Sequence, residues 1–330
     1  MSPSELAAEI QERLLALCWS QWAQMGLLTS PSGEPSRRAQ DPEALLVMTL
    51  EVGRADARLF DETLDWSASN GRLLSLRRLR AMCVDDEDRA LVDGTARWLE
   101  WERTKPVTAG GQLRDLFLDG GPIRELDPAF ASAGLARPLL QRTGRSLSPD
   151  LSLPINLSLR LRAILGVGIR AEVVRILLTI RAGWMTAAPL ARTSGYTKRN
   201  VHDALTSLSD AQVIRVMRTG GGELRYAIDP IRWAALLGCA EEELPGHLEW
   251  GTLLGALRSV LRWGRAVLTS EASEYLQASQ ARELLERFAP QLAYAGVSVE
   301  EPRRGADDAL EALTITVRRT LERCEESSPC

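Results

Sequence analysis

The chain contains few of the residues on which metal and cofactor chemistry depends. Among 330 residues there are two histidines, His202 and His247, and the five cysteines are scattered without a CxxC pair. The HExxH, GxxxxGK[ST], GxSxG and post-strand GxGxxG motifs of common enzyme classes are also missing. We therefore expect no catalytic residues, no metal site, no cofactor and no disulfide framework. Acid pairs such as Asp85 and Asp86 lie in polar runs, where a solvated face or a helix start explains them.

Long hydrophobic runs are missing as well. Charged residues interrupt every aliphatic stretch before it reaches the roughly 18 apolar residues of a membrane span. The opening MSPSELAAEIQERLL is acidic and amphipathic, unlike a secretion signal. These features predict a cytoplasmic protein without a membrane partner. With 45% hydrophobic residues, the chain is long enough for two or three domains.

Charge is distributed unevenly along the chain. The formal net charge is -4, yet residues 158–232 contain twelve Lys or Arg against five acids, which makes this segment +7 and the remainder -11. A basic segment between acidic ones is the electrostatic pattern of a nucleic-acid binder, because phosphates respond to local potential. The chain has two lysines, Lys105 and Lys198, so its arginine content alone carries little weight.

Composition and periodicity predict a mainly α protein of three domains with a connector after the first. Residues 1–105 read as a helical domain, and residues 106–157 as a Gly- and Pro-rich connector. Residues 158–245 combine helices with two strand-like runs, VIRVM and ELRYAI, which flank a glycine-rich turn. Residues 246–330 read as a helical C-terminal domain.

The central part contains a helix with two distinct faces. Gly195 predicts a tight turn after the short helix AAPLARTS, and Thr197 predicts the N-cap of a helix that ends near Ser209. Apolar residues recur at i, i+4 and i+7, which places them on one inward face. The opposite face carries Lys198, Arg199, His202, Asp203 and Thr206.

This order of elements resembles the winged helix-turn-helix domains of bacterial transcription regulators such as the MarR and ArsR families. The resemblance covers about 75 residues, from Arg160 to about Arg232. Its strongest part, LARTSGYTKRNVHDALTSLSDAQVI, is similar to the arrangement LAxxxGxSxxxVxxxLxxLxxxGxI. Gln212 stands where that pattern usually has a glycine. The resemblance implies a central winged helix-turn-helix with a β-hairpin wing.

The resemblance also implies a function and a set of contacts. The protein would be a sequence-specific transcription regulator that binds double-stranded DNA and acts by occupying an operator. Thr197 would contact a phosphate, and Asp203 would contact cytosine or orient Arg199. The wing arginines would reach the DNA backbone or the minor groove. The expected DNA-binding residues are Thr197, Lys198, Arg199, His202, Asp203, Thr206, Arg218 and Arg225.

Two alternatives stay open at this level. A winged helix can also serve as a protein-protein interaction module without binding DNA. The leucine-rich last third can form the core of its own domain, or it can form a homodimer interface. Such a dimer would place two copies of the helix that begins at Thr197, the recognition helix, on a palindrome. The sequence identifies neither the operator nor an effector ligand.

Overall fold

The structure is a computed structural model that describes residues 1–27, 36–102, 113–181, 183–268, 273–302 and 306–326. These residues contain fourteen α-helices and two small β-sheets of two strands each, which confirms the predicted mainly α fold class. No helix within the described ranges is long and apolar enough to cross a bilayer.

The helices and the strands are each numbered in chain order. The helices are α1 (Pro3–Gln24), α2 (Pro42–Val52), α3 (Ala57–Asn70), α4 (Leu76–Ala81), α5 (Asp86–Trp98), α6 (Pro128–Ala131), α7 (Leu157–Leu165), α8 (Ile169–Ile180), α9 (Ala187–Ser194), α10 (Lys198–Asp210), α11 (Pro230–Leu237), α12 (Trp250–Leu268), α13 (Glu274–Tyr294) and α14 (Ala306–Glu325). The strands are β1 (Arg114–Asp115), β2 (Leu135–Ala136), β3 (Arg215–Arg218) and β4 (Leu224–Ala227).

The larger hydrophobic core joins the two ends of the chain. Buried leucines of α12 pack with apolar side chains of α1, α2, α13 and α14 in one cluster. At Gly264 an added Cβ would lie 2.5 Å from the carbonyl oxygen of Pro3, so α1 and α12 are in close backbone contact. The described parts of residues 1–105 and 246–330, which the sequence divides into separate domains, thus share one core. Because α12 is apolar on several sides, several neighbouring helices are needed to bury it, and α1 and α2 are two of them. We call this unit the body.

The tract predicted as a connector covers the body along residues 113–156. Phe130 of α6 is buried against α5, where a Cβ added at Gly94 would lie 2.6 Å from its ring. The carboxylate of Asp65 on α3 accepts hydrogen bonds from the backbone N–H groups of residues 143–146. This part of the tract therefore packs as an outer layer of the body, and residues 103–112 lie outside the described ranges.

Residues 157–245, the central module, have a second hydrophobic core. Apolar side chains of α8, α9, α10 and α11 are buried together in it. Strands β3 and β4 form an antiparallel hairpin, as the two strand-like runs predict. Met185, which precedes α9, pairs with Tyr226 of β4 through N–H···O bonds of 2.8 and 2.7 Å. The hairpin is thereby fixed beside α9.

The body and the central module meet at a cluster of buried charges. Arg162 of α7 bridges the two, since it donates to Glu43 of α2 at 2.6 Å and to Glu172 of α8 at 2.7 Å. We call the six charged residues the junction cluster. They are Asp41, Glu43 and Arg78 of the body and Arg162, Glu172 and Arg175 of the central module, all buried. Three carboxylates face three guanidinium groups, so the cluster is formally neutral.

Candidate nucleic-acid interface

The start of α10 is set by local interactions that the sequence predicts. Gly195 ends α9 with a φ of +70°, a left-handed conformation that suits glycine. The Thr197 hydroxyl caps α10 by accepting a hydrogen bond from the N–H of Asn200 at 3.3 Å. Val201, Leu205 and Leu208 are buried in the module's core, which confirms the predicted inward face. The opposite face of α10 is therefore presented to solvent.

All five side chains expected on the outer face of α10 are exposed. Among the described residues, no ion pair includes Lys198 or Arg199, so both cations are free of a counter-charge. The expected orientation of Arg199 by Asp203 is not formed. Asp203 instead lines a cleft beside the start of α8. The exposed set is Lys198, Arg199, His202, Asp203 and Thr206.

The hairpin carries three exposed arginines, Arg215 and Arg218 on β3 and Arg225 on β4, of which Arg218 and Arg225 belong to the expected set. Arg218 lies on β3 and makes no ion pair with any described residue, whereas Arg225 on β4 donates to Glu223 at 3.3 Å. Arg218 and Arg225 therefore differ, because the charge of Arg225 is partly neutralised. Gly222 has a φ of +82° in the turn, and a Cβ added there would meet nothing within 4 Å. The glycine tip is thus open to solvent.

Gln212 takes the backbone conformation that its position in the pattern requires. Its φ is +56°, in the left-handed region where glycine is usual. Its N–H donates to the Ser209 carbonyl at 2.8 Å, which closes the turn between α10 and β3. Gln212 thus adopts here a conformation that glycine favours, and a side chain in this conformation is strained.

The positive charge of the segment 158–232 is mostly on its surface. Arg162 and Arg175 are buried in the junction cluster with Glu172, so these three residues do not contribute to the surface potential. The segment 158–232 retains ten cations and four acids that are not buried, a formal surface charge of +6. The basic character inferred from the sequence is therefore available to a polyanion.

A residue of the body, absent from the sequence-based set, contacts the start of α10. The guanidinium of Arg77 on α4 lies 4.7 Å from the ring centre of Tyr196. The Asn200 side-chain amide can be oriented so that its nitrogen and its oxygen both have hydrogen-bond partners. In this orientation it donates to the Thr197 hydroxyl at 3.1 Å and accepts from Arg77 at 3.2 Å. No local sequence signal could have found this contact, because α4 and α10 are about 120 residues apart in the chain.

The apolar stripe at the start of the last third lies inside the body. Its residues are Leu248, Leu253, Leu254, Leu257, Val260 and Leu261, and all six are buried in the larger core. The structure thus accounts for this stripe as core, and the homodimer stays a prediction that these side chains do not support.

No protein-family model matches the chain, and no curated protein or solved structure is significantly similar to it. Within the described ranges, no group of three or more His, Cys, Asp or Glu side chains is arranged to hold a metal ion. The interpretation of this surface therefore depends on its geometry and charge.

Proposed function

We propose that the central module is a winged helix-turn-helix that binds double-stranded DNA, and that the protein regulates transcription in the cytoplasm by occupying an operator. The observation that carries the proposal is the outer face of α10. Its two adjacent cations, Lys198 and Arg199, are exposed and form no ion pair with any described residue, and they lie at the start of a helix whose other face is fixed in a core.

Each part of the surface has a role in this proposal. Lys198 and Arg199 bind guanine edges or phosphates in the major groove, and His202, Asp203 and Thr206 contact neighbouring bases. Thr197 and the free N–H groups at the start of α10 face a phosphate. Arg218 and Arg225 of the hairpin contact the DNA backbone, where the glycine tip allows close approach.

A protein-protein interaction module is the second candidate, and an observation on the hairpin favours it. Val216 and Met217 of β3 are 46% and 40% exposed, so the hairpin also presents apolar surface. A protein partner that covered this surface would bind with little dependence on salt. Duplex DNA would instead be released steeply as salt rises, because phosphate contacts displace counterions.

Replacing Lys198 and Arg199 together by alanine tests the proposal. A selection from a random pool of duplexes first supplies a preferred sequence for the parent protein. We expect the double variant to fold and to bind that sequence more weakly by about 2 to 5 kcal/mol, at about 1 to 3 kcal/mol for each good base contact. The control is Arg124 and Arg145 to alanine, which removes two exposed body cations that form no ion pair with described residues.

Two outcomes would contradict the proposal. If the parent protein enriches no sequence and its retention on heparin is insensitive to salt, the module does not bind nucleic acid. If the Lys198 and Arg199 variant binds as tightly as the Arg124 and Arg145 variant, α10 does not read DNA.

The hairpin gives a second comparison with an internal control. Arg218→Ala removes a cation that makes no ion pair with the described part of the chain, whereas Arg225→Ala removes one that already has Glu223 as a partner. We expect Arg218→Ala to weaken binding to all sequences about equally and to reduce the salt dependence by about one counterion. Arg225→Ala should have a smaller effect. A changed consensus after Arg218→Ala would instead mean that the hairpin reads bases.

The predicted homodimer is a separate part of the proposal. A palindromic site with half-sites about 10 base pairs apart, or a multiple of that, would accommodate two recognition helices. Light scattering on the full chain, together with binding to sites of altered spacing, measures this directly. A monomer without a spacing preference would remove the dimer and leave the DNA-binding proposal in place.

A further inference from the structure

A cleft of 610 Å³ separates the start of α10 from the body. One wall is formed by α4, a second by the turn between α7 and α8, and a third by α10 itself. The charged residues that line it are Arg77, Arg170 and Asp203. The cleft therefore adjoins the outer face of α10 and contains two cations and one acid.

Arg77 differs from the other arginines of its helix. Its neighbour Arg78 is buried and paired with carboxylates of the junction cluster, and Arg80 pairs with Asp93 and Glu102. Arg77 is exposed, and no carboxylate of the described residues lies within ion-pair distance of it. Of the three arginines of α4, Arg77 is thus the one that faces α10 and has no counter-charge among the described residues.

The guanidinium of Arg77 is held in place without being neutralised. It lies against the ring of Tyr196 at 4.7 Å, and two of its nitrogens donate to the Asn200 side-chain oxygen at 3.2 Å. A guanidinium has five N–H donors in a fixed plane, so donors are left over for a second acceptor. Stacking restricts the plane of the group, which reduces the entropy lost when an anion binds.

The position of Arg77 relates it to the outer face of α10. Successive residues of an α-helix are about 100° apart, so Asn200 flanks the face that carries Arg199. Arg170, at the first turn of α8, is exposed on the same cleft and also forms no ion pair with described residues. A polyanion that lies on α10 would therefore pass both cations as it leaves the helix.

We propose that Arg77, a residue of the body, binds a backbone phosphate of the duplex that lies on α10, with Arg170 as a second phosphate contact across the cleft. This inference rests on the proposed function. It adds that the DNA interface is composite and that the module's docking on the body determines part of the affinity for DNA.

The test measures how the affinity for a labelled 30-base-pair duplex of random sequence depends on salt. One phosphate contact contributes a slope of about -0.9 to the plot of log K against log salt. When salt rises from 50 to 200 mM, the affinity of both proteins falls. The fold-decrease should be about 3.5 times smaller for Arg77→Ala than for the parent. Arg77→Lys retains the charge and should keep the parent slope. Arg145→Ala, which removes an exposed body cation away from the cleft residues, is the control.

The outcomes separate this inference from the proposed function. If the parent shows no salt-dependent binding, the proposed function fails and the inference fails with it. If alanine at Lys198 and Arg199 weakens binding but Arg77→Ala keeps the parent slope, as Arg145→Ala should, the inference alone is overturned. The third outcome is that Arg77→Ala and Arg77→Lys reduce the slope of log K against log salt equally and both unfold at a lower temperature. Arg77 would then dock the module without binding a phosphate, which also overturns the inference.

Discussion

Replacing Arg162 by methionine tests whether the junction cluster holds the central module on the body. The side chain of Arg162 is 1% exposed and donates to Glu43 of the body, to Glu172 of the module and to the Leu73 carbonyl at 2.8 Å. Methionine retains much of the side-chain volume but supplies no charge and no donor. After the change, three buried carboxylates face two guanidinium groups.

The magnitude follows from burial. Removing one partner of a buried ion pair costs about 3 to 5 kcal/mol, because the remaining charge stays away from water without compensation. Coulomb's law gives the same order, about 4 kcal/mol for charges about 4 Å apart at an effective dielectric constant of 20. Glu43 keeps hydrogen bonds from Arg78 and Ser75, so part of its solvation is preserved. We therefore expect the free energy of unfolding to fall by about 3 to 5 kcal/mol.

Arg80→Met is the matched control. Arg80 pairs with Glu102 at 2.6 Å, the same distance as between Arg162 and Glu43, but its side chain is 44% exposed. An exposed pair contributes about 0 to 1 kcal/mol. Urea unfolding followed by tryptophan fluorescence measures both variants. Equal losses of stability in the two variants would refute the reasoning, because burial would then not determine the strength of these pairs.

Three further predictions concern the backbone and one carboxylate. Gln212→Gly should raise the free energy of unfolding by about 0.5 to 1 kcal/mol, because the relief of left-handed backbone strain exceeds the entropic cost of glycine. An unchanged midpoint of urea unfolding would contradict this prediction. Gly264→Ala should lower that free energy by about 1 to 3 kcal/mol through overlap with α1, whereas Gly255→Ala in the same helix, with 3.8 Å to the nearest atom, should not lower it. Burial raises the pKa of Asp65, but hydrogen bonds from Gly144 and its neighbours outweigh this and lower it below the usual value. The ionised carboxylate of Asp65 thus stabilises the folded protein fully above the unfolded pKa of about 3.9, and this stabilisation is lost as pH falls. Asp65→Asn should therefore flatten the acid side of a plot of melting temperature against pH. A plot identical to that of the parent would exclude this role.

Several elements of the central module could be predicted from local sequence. Thr197 as N-cap, Gly195 as turn and the i, i+4, i+7 stripe define α10 to within a residue of its observed end at Asp210. The glycine-rich turn between two strand-like runs defines the hairpin. These features depend on interactions between residues close in the chain, so a single sequence contains the necessary information.

The tertiary structure decided what those elements pack against. The sequence identified the apolar faces of α12 but could not indicate that α1 and α2 cover them, because periodicity specifies a face and not its partner. It gave Arg162 and Arg77 the same formal charge, yet one is buried between carboxylates from distant segments and the other lies exposed beside α10. The effect of a charge depends on its burial and on its neighbours in space, and both are set when segments more than 100 residues apart come together.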